Sequence, residues 1–147
     1  MEDVKTKYRA GSVEWVDALR KYFVSVVEKQ KPDFDLVFSI EVTNPPEELL
    51  RGDGRDTIGY VVSVQNGSIH VLDGPHHVSD AVMTTIDYDI WEPSLRQKST
   101  EYRRWLAEAK PGHVKEGKWK SVGDIARVLP LAHMCNIIDD FYSEVTL

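Results

Sequence analysis

The chain has 147 residues, of which 41% are hydrophobic and 29% charged, and its formal charge is −6. One domain of ordinary globular balance accounts for this, able to bury about two thirds of its unfolded surface. The acidic total disfavours general nucleic-acid binding, which needs a basic surface to neutralise phosphates, and a single cysteine, Cys135, excludes an intrachain disulfide.

Residues 1–11, MEDVKTKYRAG, lack the apolar segment of a secretory leader and read as a flexible lead. The richest apolar stretch, Val128 to Ile138, is interrupted by Pro130, His133 and Asn136, so no membrane-spanning helix is expected. One soluble cytoplasmic domain over 1–147 is the expectation.

Ser12 is an N-cap for a first helix, Glu14 suits its positive end, and Val16, Leu19, Phe23, Val26 and Val27 recur at helical spacing. Lys31-Pro32 should end it. From Phe34 to Val42 the pattern alternates: Phe34, Leu36, Phe38, Ile40 and Val42 on one side, Asp35, Ser39 and Glu41 on the other. That is a half-buried strand. Asn44-Pro45-Pro46 stops it, and a helical turn fits Pro46 to Leu50.

Thr57 to Gln65 and Ser68 to Leu72 flank Asn66-Gly67, the dipeptide suited to a type I′ hairpin. With Gln65 opposite Ser68, Val64 meets Ile69 and Val62 meets Val71, and Tyr60 and Ile58 extend the same apolar face. Ala81 to Ile86 is a fourth strand. Asp87 caps a short helix carrying Ile90, Trp91 and Leu95, in which Pro93 must lie in the first turn or break it. A further helix is expected from Thr100 to Lys110, stopped by Pro111-Gly112, then an edge strand from Val114 to Val122. A last helix starts near Gly123-Asp124 with Ile125, Val128, Leu129, Ala132, Cys135, Ile138 and Tyr142 along it, kinked or restarted at Pro130. The fold class is α+β, a mainly antiparallel sheet covered by helices.

Motifs for chemistry are sparse. His76-His77 are adjacent and diverge in any regular element, which disfavours a shared metal ion; no metal site and no cofactor are expected. Asp87 serves as a cap, Asp139-Asp140 lie on a polar side, and Cys135 sits on an apolar stripe where a thiol behaves as a small hydrophobe. No phosphate-binding or nucleophile-elbow motif occurs. Between Arg96 and Lys120 eight basic residues face three acidic ones, so this segment carries +5 within an acidic chain. It can dock an anionic ligand end, a membrane surface or an acidic partner.

From the hairpin onward the chain resembles the sterol carrier protein 2 family. The resemblance is carried by Gly59-Tyr60-Val61-Val62-Ser63-Val64-Gln65-Asn66-Gly67-Ser68-Ile69-His70-Val71 and Gly74-Pro75. Asp80-Ala81-Val82-Met83-Thr84-Thr85 follows, leading into a helix, and then Gly117-Lys118-Trp119-Lys120-Ser121-Val122-Gly123-Asp124-Ile125. The segment from Gln97 to Glu116, Pro130, and Leu49 to Asp56 depart from the family's pattern. The resemblance implies a five-stranded sheet covered by helices around an apolar tunnel, and a non-catalytic carrier of a fatty acid, acyl-CoA or sterol.

The tunnel wall is expected from Phe38, Ile40, Tyr60, Val62, Val64, Ile69, Val71 and Met83 on the sheet, with Trp91, Trp105, Ile125, Leu129 and Met134 from the helices. Lys115, Lys118 and Lys120 could meet an anionic end. The alternative is an enzyme or accessory subunit acting on a hydrophobic molecule in that cavity, with His70, Asp89 and His133 as its ionisable candidates.

Overall fold

A computed structural model describes residues 7–76, 81–97, 99–128, 130–131 and 141–147. Helix α1 spans Val13–Val26, and the Ser12 side chain accepts a hydrogen bond from the Trp15 amide. Its buried stripe is Trp15, Val16, Leu19 and Phe23. The chain leaves through a 3-10 turn at Glu28–Gln30, and Lys31 adopts a positive φ of 50° just before Pro32.

Strand β1 is Leu36–Thr43, and the helical turn expected over Pro46 to Leu50 is a 3-10 turn at Glu47–Leu49. Strands β2 (Ile58–Gln65) and β3 (Ser68–Asp73) form the hairpin in the expected register, Gln65 on Ser68, Val64 on Ile69 and Val62 on Val71. Asn66 and Gly67 both take positive φ, 51° and 81°, as a type I′ turn requires. Strand β4 is Val82–Asp87 and β5 is Trp119–Val122, giving the order β3-β2-β1-β4-β5.

The sheet is mixed rather than purely antiparallel, because β4 pairs parallel with β1, Phe38 beside Val82 and Val42 beside Ile86. Joining β1 instead of the free edge of β3 places apolar Val82 and Ile86 at the middle of the sheet, where they are buried.

Helix α2 (Tyr88–Ser94) is capped by Asp87, whose side chain accepts from the Asp89 amide at 2.9 Å. Pro93 lies at its end, not in its first turn, and the helix stops one residue later. Helix α3 runs from Ser99 to Lys115, through the Pro111-Gly112 pair expected to stop it. Pro111 lacks the amide that would reach Ala107, but both residues are exposed, and water can serve that carbonyl.

The stop comes at Gly117 (φ 78°): its amide donates to the Val114 carbonyl, and the Lys118 amide donates to that of His113. This pair of bonds is a Schellman motif. Residues 114–118 are therefore helix end and turn, which shortens the strand expected from Val114.

After β5, a 3-10 turn covers Ile125–Val128, where a full helix was expected; Pro130 and Leu131 are helical, and α4 spans Phe141–Val145. Ala132, Cys135 and Ile138 lie outside the described residues.

The expected loose lead is also too long. The Tyr8 amide donates to the Val145 carbonyl at 2.7 Å, the Leu147 amide donates to that of Tyr8 at 2.9 Å, and Ala10 is buried. Both ends of the described chain are clasped together.

Candidate ligand-binding site

Cross-strand register sorts the sheet into two faces. Tyr60, Ile40, Thr84 and Ser121 form one row, flanked by Val62, Phe38 and Val82 on one side and by Ile58, Val42, Ile86 and Trp119 on the other. Helices cover this face. The Trp15 ring of α1 lies 5.9 Å from Tyr60 and 5.4 Å from Trp91 of α2, and its indole N–H donates to Thr146 Oγ1 at 3.0 Å. Over β5, Trp105 of α3 stacks on Trp119 at 5.4 Å, with Tyr102 and His113 against Trp105 and the Lys110 ammonium 4.8 Å above the Trp119 ring.

Burial along this face is uneven. From β2 to β5 the flanking rows are closed: Val62, Phe38, Val82, Ile58, Val42, Ile86 and Trp119 are all buried. The central row opens as it leaves Tyr60, because Ile40, Thr84 and Ser121 keep partial exposure although helices overlie the sheet. Thr84 Oγ1 and Ser121 Oγ lie 3.2 Å apart in this half-buried row, termed the slot below, and hydrogen-bond to each other. Away from the β3 edge, where Val71 is half-buried and Asp73 exposed, two hydroxyls and one isoleucine thus form the partly covered stretch of this face.

The expected wall residues divide accordingly. Tyr60, Val62, Val64 and Ile69 are fully enclosed, on the part of the sheet beside α1, and Trp91 packs on Trp15; these close the core. Ile40 and Val71 are half-buried on the same face, Phe38 is buried beside Ile40's row, and Trp105 is half-buried over β5. Met83 is a correction. It pairs in register with Ser39 and Val122, so it faces the opposite side of the sheet from Ile40 and cannot line the same space. The backbone of Ile125 belongs to the 3-10 turn, and Leu129 and Met134 lie outside the described residues.

Among the described residues, the lysines of the basic segment are divided between the two faces of the sheet. Lys120 pairs with Thr85 and projects from the opposite face, away from the slot, while Lys118 sits 3.6 Å from Glu116 and Lys115 is exposed. Lys110 is the cation beside the slot's aromatic end.

Of the ionisable candidates, His70 and Asp89 are exposed, and His70 also faces away, paired with Ser63; His133 lies outside the described residues. The His76 ring contacts the Asp73 carbonyl, His77 is not described, and among the described residues no three His, Cys, Asp or Glu side chains converge on a metal position.

A separate open groove of about 330 Å³ lies on α1, lined by Tyr8, Val13, Glu14, Asp17, Ala18 and Lys21. Of its two carboxylates Asp17 is engaged: the hydrogen bond from Arg20 holds it below the usual carboxylate range, and Lys21 adds to this. A charged groove of this kind does not suit an apolar guest.

No family model and no curated protein matches the sequence. Solved structures do match. A crystal structure of sterol carrier protein 2 superposes with a TM-score of 0.58 at 13% identity, covering 94% of this chain and all of the other. The fold is that of a sterol carrier protein 2 domain. A conserved hypothetical protein from Thermus thermophilus gives a TM-score of 0.53 at 14% identity, covering 97% of this chain and 95% of its own. Identities this low establish the sterol-carrier-like architecture and leave the guest to be argued from the residues.

Sequence reasoning missed four residues of the slot in this sterol-carrier-like fold: Thr84, Ser121, Trp119 and Lys110. The signal for the first three was present. Alternation in Val82-Met83-Thr84-Thr85-Ile86 places Thr84, not Met83, with the apolar pair Val82 and Ile86. Trp119 and Ser121 alternate with Lys120 in the same way. Lys110 had no such signal, since its place over Trp119 depends on how α3 docks on β5.

Proposed function

We propose that this protein binds a hydrophobic small molecule, of the fatty acid, acyl-CoA or sterol kind, between its sheet and helices and carries it without transforming it. The observation that supports this reading is the half-buried row Ile40-Thr84-Ser121 between rows that are buried from β2 to β5. A row of sheet residues that its own helices leave partly uncovered is where an apolar guest gains most by displacing water. Each Å² of apolar surface so removed contributes about 25 cal/mol before the costs of association. The architecture shared with a solved sterol carrier protein adds support, and so does the position of both described ionisable candidates, His70 and Asp89, in solvent.

The test is titration of the purified protein with a fluorescent polyene fatty acid. Saturable binding is expected, lost in Ile40→Trp, whose indole would fill the slot. Ile40 is the better site for this substitution than Val62, which is completely enclosed and would damage the core. Absence of binding by any fatty acid, acyl-CoA or sterol ends the reading.

A further inference from the structure

Thr84 and Ser121 do not need to be polar for the sheet to form. Both belong to a face whose other strand residues are apolar except for exposed Asp73 at the far end of the row, and a valine would satisfy the strand equally well. Each hydroxyl carries one donor hydrogen and two acceptor lone pairs. Their mutual bond at 3.2 Å uses one hydrogen and one lone pair, so the pair keeps one donor hydrogen and several acceptor positions. Both side chains are only partly covered, so these groups are turned toward the slot, with apolar Ile40 beside them and the Trp119 ring at the end.

We infer that the guest carries an oxygen, a hydroxyl or carbonyl, that takes a hydrogen bond from the Thr84–Ser121 pair. This deepens the proposed carrier function and rests on it. A hydrocarbon seated there would strip water from the two hydroxyls without replacing its bonds, which penalises it. An oxygen-bearing chain restores them. The slot therefore selects a lipid by where its oxygen lies relative to its apolar body, with Ile40 and the Trp105–Trp119 stack on either side of the anchoring point.

Dodecan-1-ol and dodecane, each competing with the fluorescent fatty acid, separate the oxygen from the chain. The wild type should prefer the alcohol. Ser121→Ala and Thr84→Val, singly and together, should reduce that preference about three- to tenfold, leaving dodecane bound as before or more tightly. Folding of each variant is checked by circular dichroism, and Ser121→Ala, a small change at a partly exposed position, keeps the test alive if Thr84→Val is unstable. A preference that survives both substitutions overturns the inference, as does a wild type that binds both compounds equally. In that second case the carrier function stands. If neither compound nor the fatty acid binds, both readings fall.

Discussion

Arg51 grips Asp73 with two parallel bonds, Nε to Oδ2 and Nη2 to Oδ1, each 2.8 Å long. The same guanidinium donates to the Leu49 carbonyl at 2.6 Å and to the Gly11 carbonyl at 2.7 Å. One side chain thereby ties the end of β3, the loop before β2 and the entry to α1. The planar fork of arginine can satisfy these acceptors together; a lysine ammonium cannot reproduce the bidentate geometry. Arg51→Lys should lower stability by about 1 kcal/mol and Arg51→Ala by about 2 kcal/mol, after allowance for the partial exposure of Asp73. Urea midpoints at unchanged slope provide the measurement, and equal midpoints for all three proteins would remove this role.

Trp15 shows how much the core depends on one hydrogen bond at the far end of the chain. Its ring is fully buried, and its indole N–H is satisfied by Thr146. Thr146→Val keeps the volume and removes this bond, so a loss of about 1–2 kcal/mol is expected. Trp15→Phe removes the donor together with ring volume and should cost more. Thermal unfolding followed by near-ultraviolet circular dichroism distinguishes them; a Thr146→Val protein as stable as wild type would show that the bond is dispensable.

Two glycines of the α3 region should respond with opposite signs. Gly112 lies within the helix with open space where a Cβ would go, whereas Gly117 holds the left-handed turn that ends it. Gly112→Ala should stabilise by about 0.5–1 kcal/mol through helix propensity and a less disordered unfolded chain. Gly117→Ala should destabilise by about 1 kcal/mol, the cost of a side chain at positive φ. Changes of the same sign would contradict the helix boundaries.

Tyr102 gives a pH dependence. Burial pushes its phenol above the ordinary value near 10. The folded protein then holds this proton more tightly than the unfolded chain, so its contribution is complete below pH 10 and is lost as pH rises from there through the raised folded value. Tyr88 is pushed the same way, by burial first and then by Glu92. Tyr102→Phe should therefore flatten part of the alkaline fall in unfolding free energy and leave neutral-pH titration unchanged. An unaltered alkaline slope would count against it.

The hairpin was readable because Asn66-Gly67 fixes both turn and register, and α1 because Ser12 and its apolar spacing agree. Met83 was misplaced because size was allowed to outweigh alternation: a large apolar side chain next to Val82 looks like core, yet period two sends it to the other face. The parallel pairing of β4 had no local signature, since it depends on where a connection leads and not on the residues of the strand. The helix end at Gly117 competed with a stronger-looking signal at Pro111-Gly112, and the hydrogen bonds of the Schellman turn decided it. The slot hydroxyls were passed over because a search for apolar lining discards the polar residues that give such a lining its selectivity.

The clasp between Tyr8 and Thr146 makes the described chain nearly a closed ring. A short peptide joining the two described ends would restrain little that the fold does not already hold together, so this unit suits circular permutation. New ends could be opened at Gly52-Asp53-Gly54, an exposed turn where an added Cβ at either glycine meets nothing. Such a permutant would keep the slot while freeing the clasp to be studied as a linker.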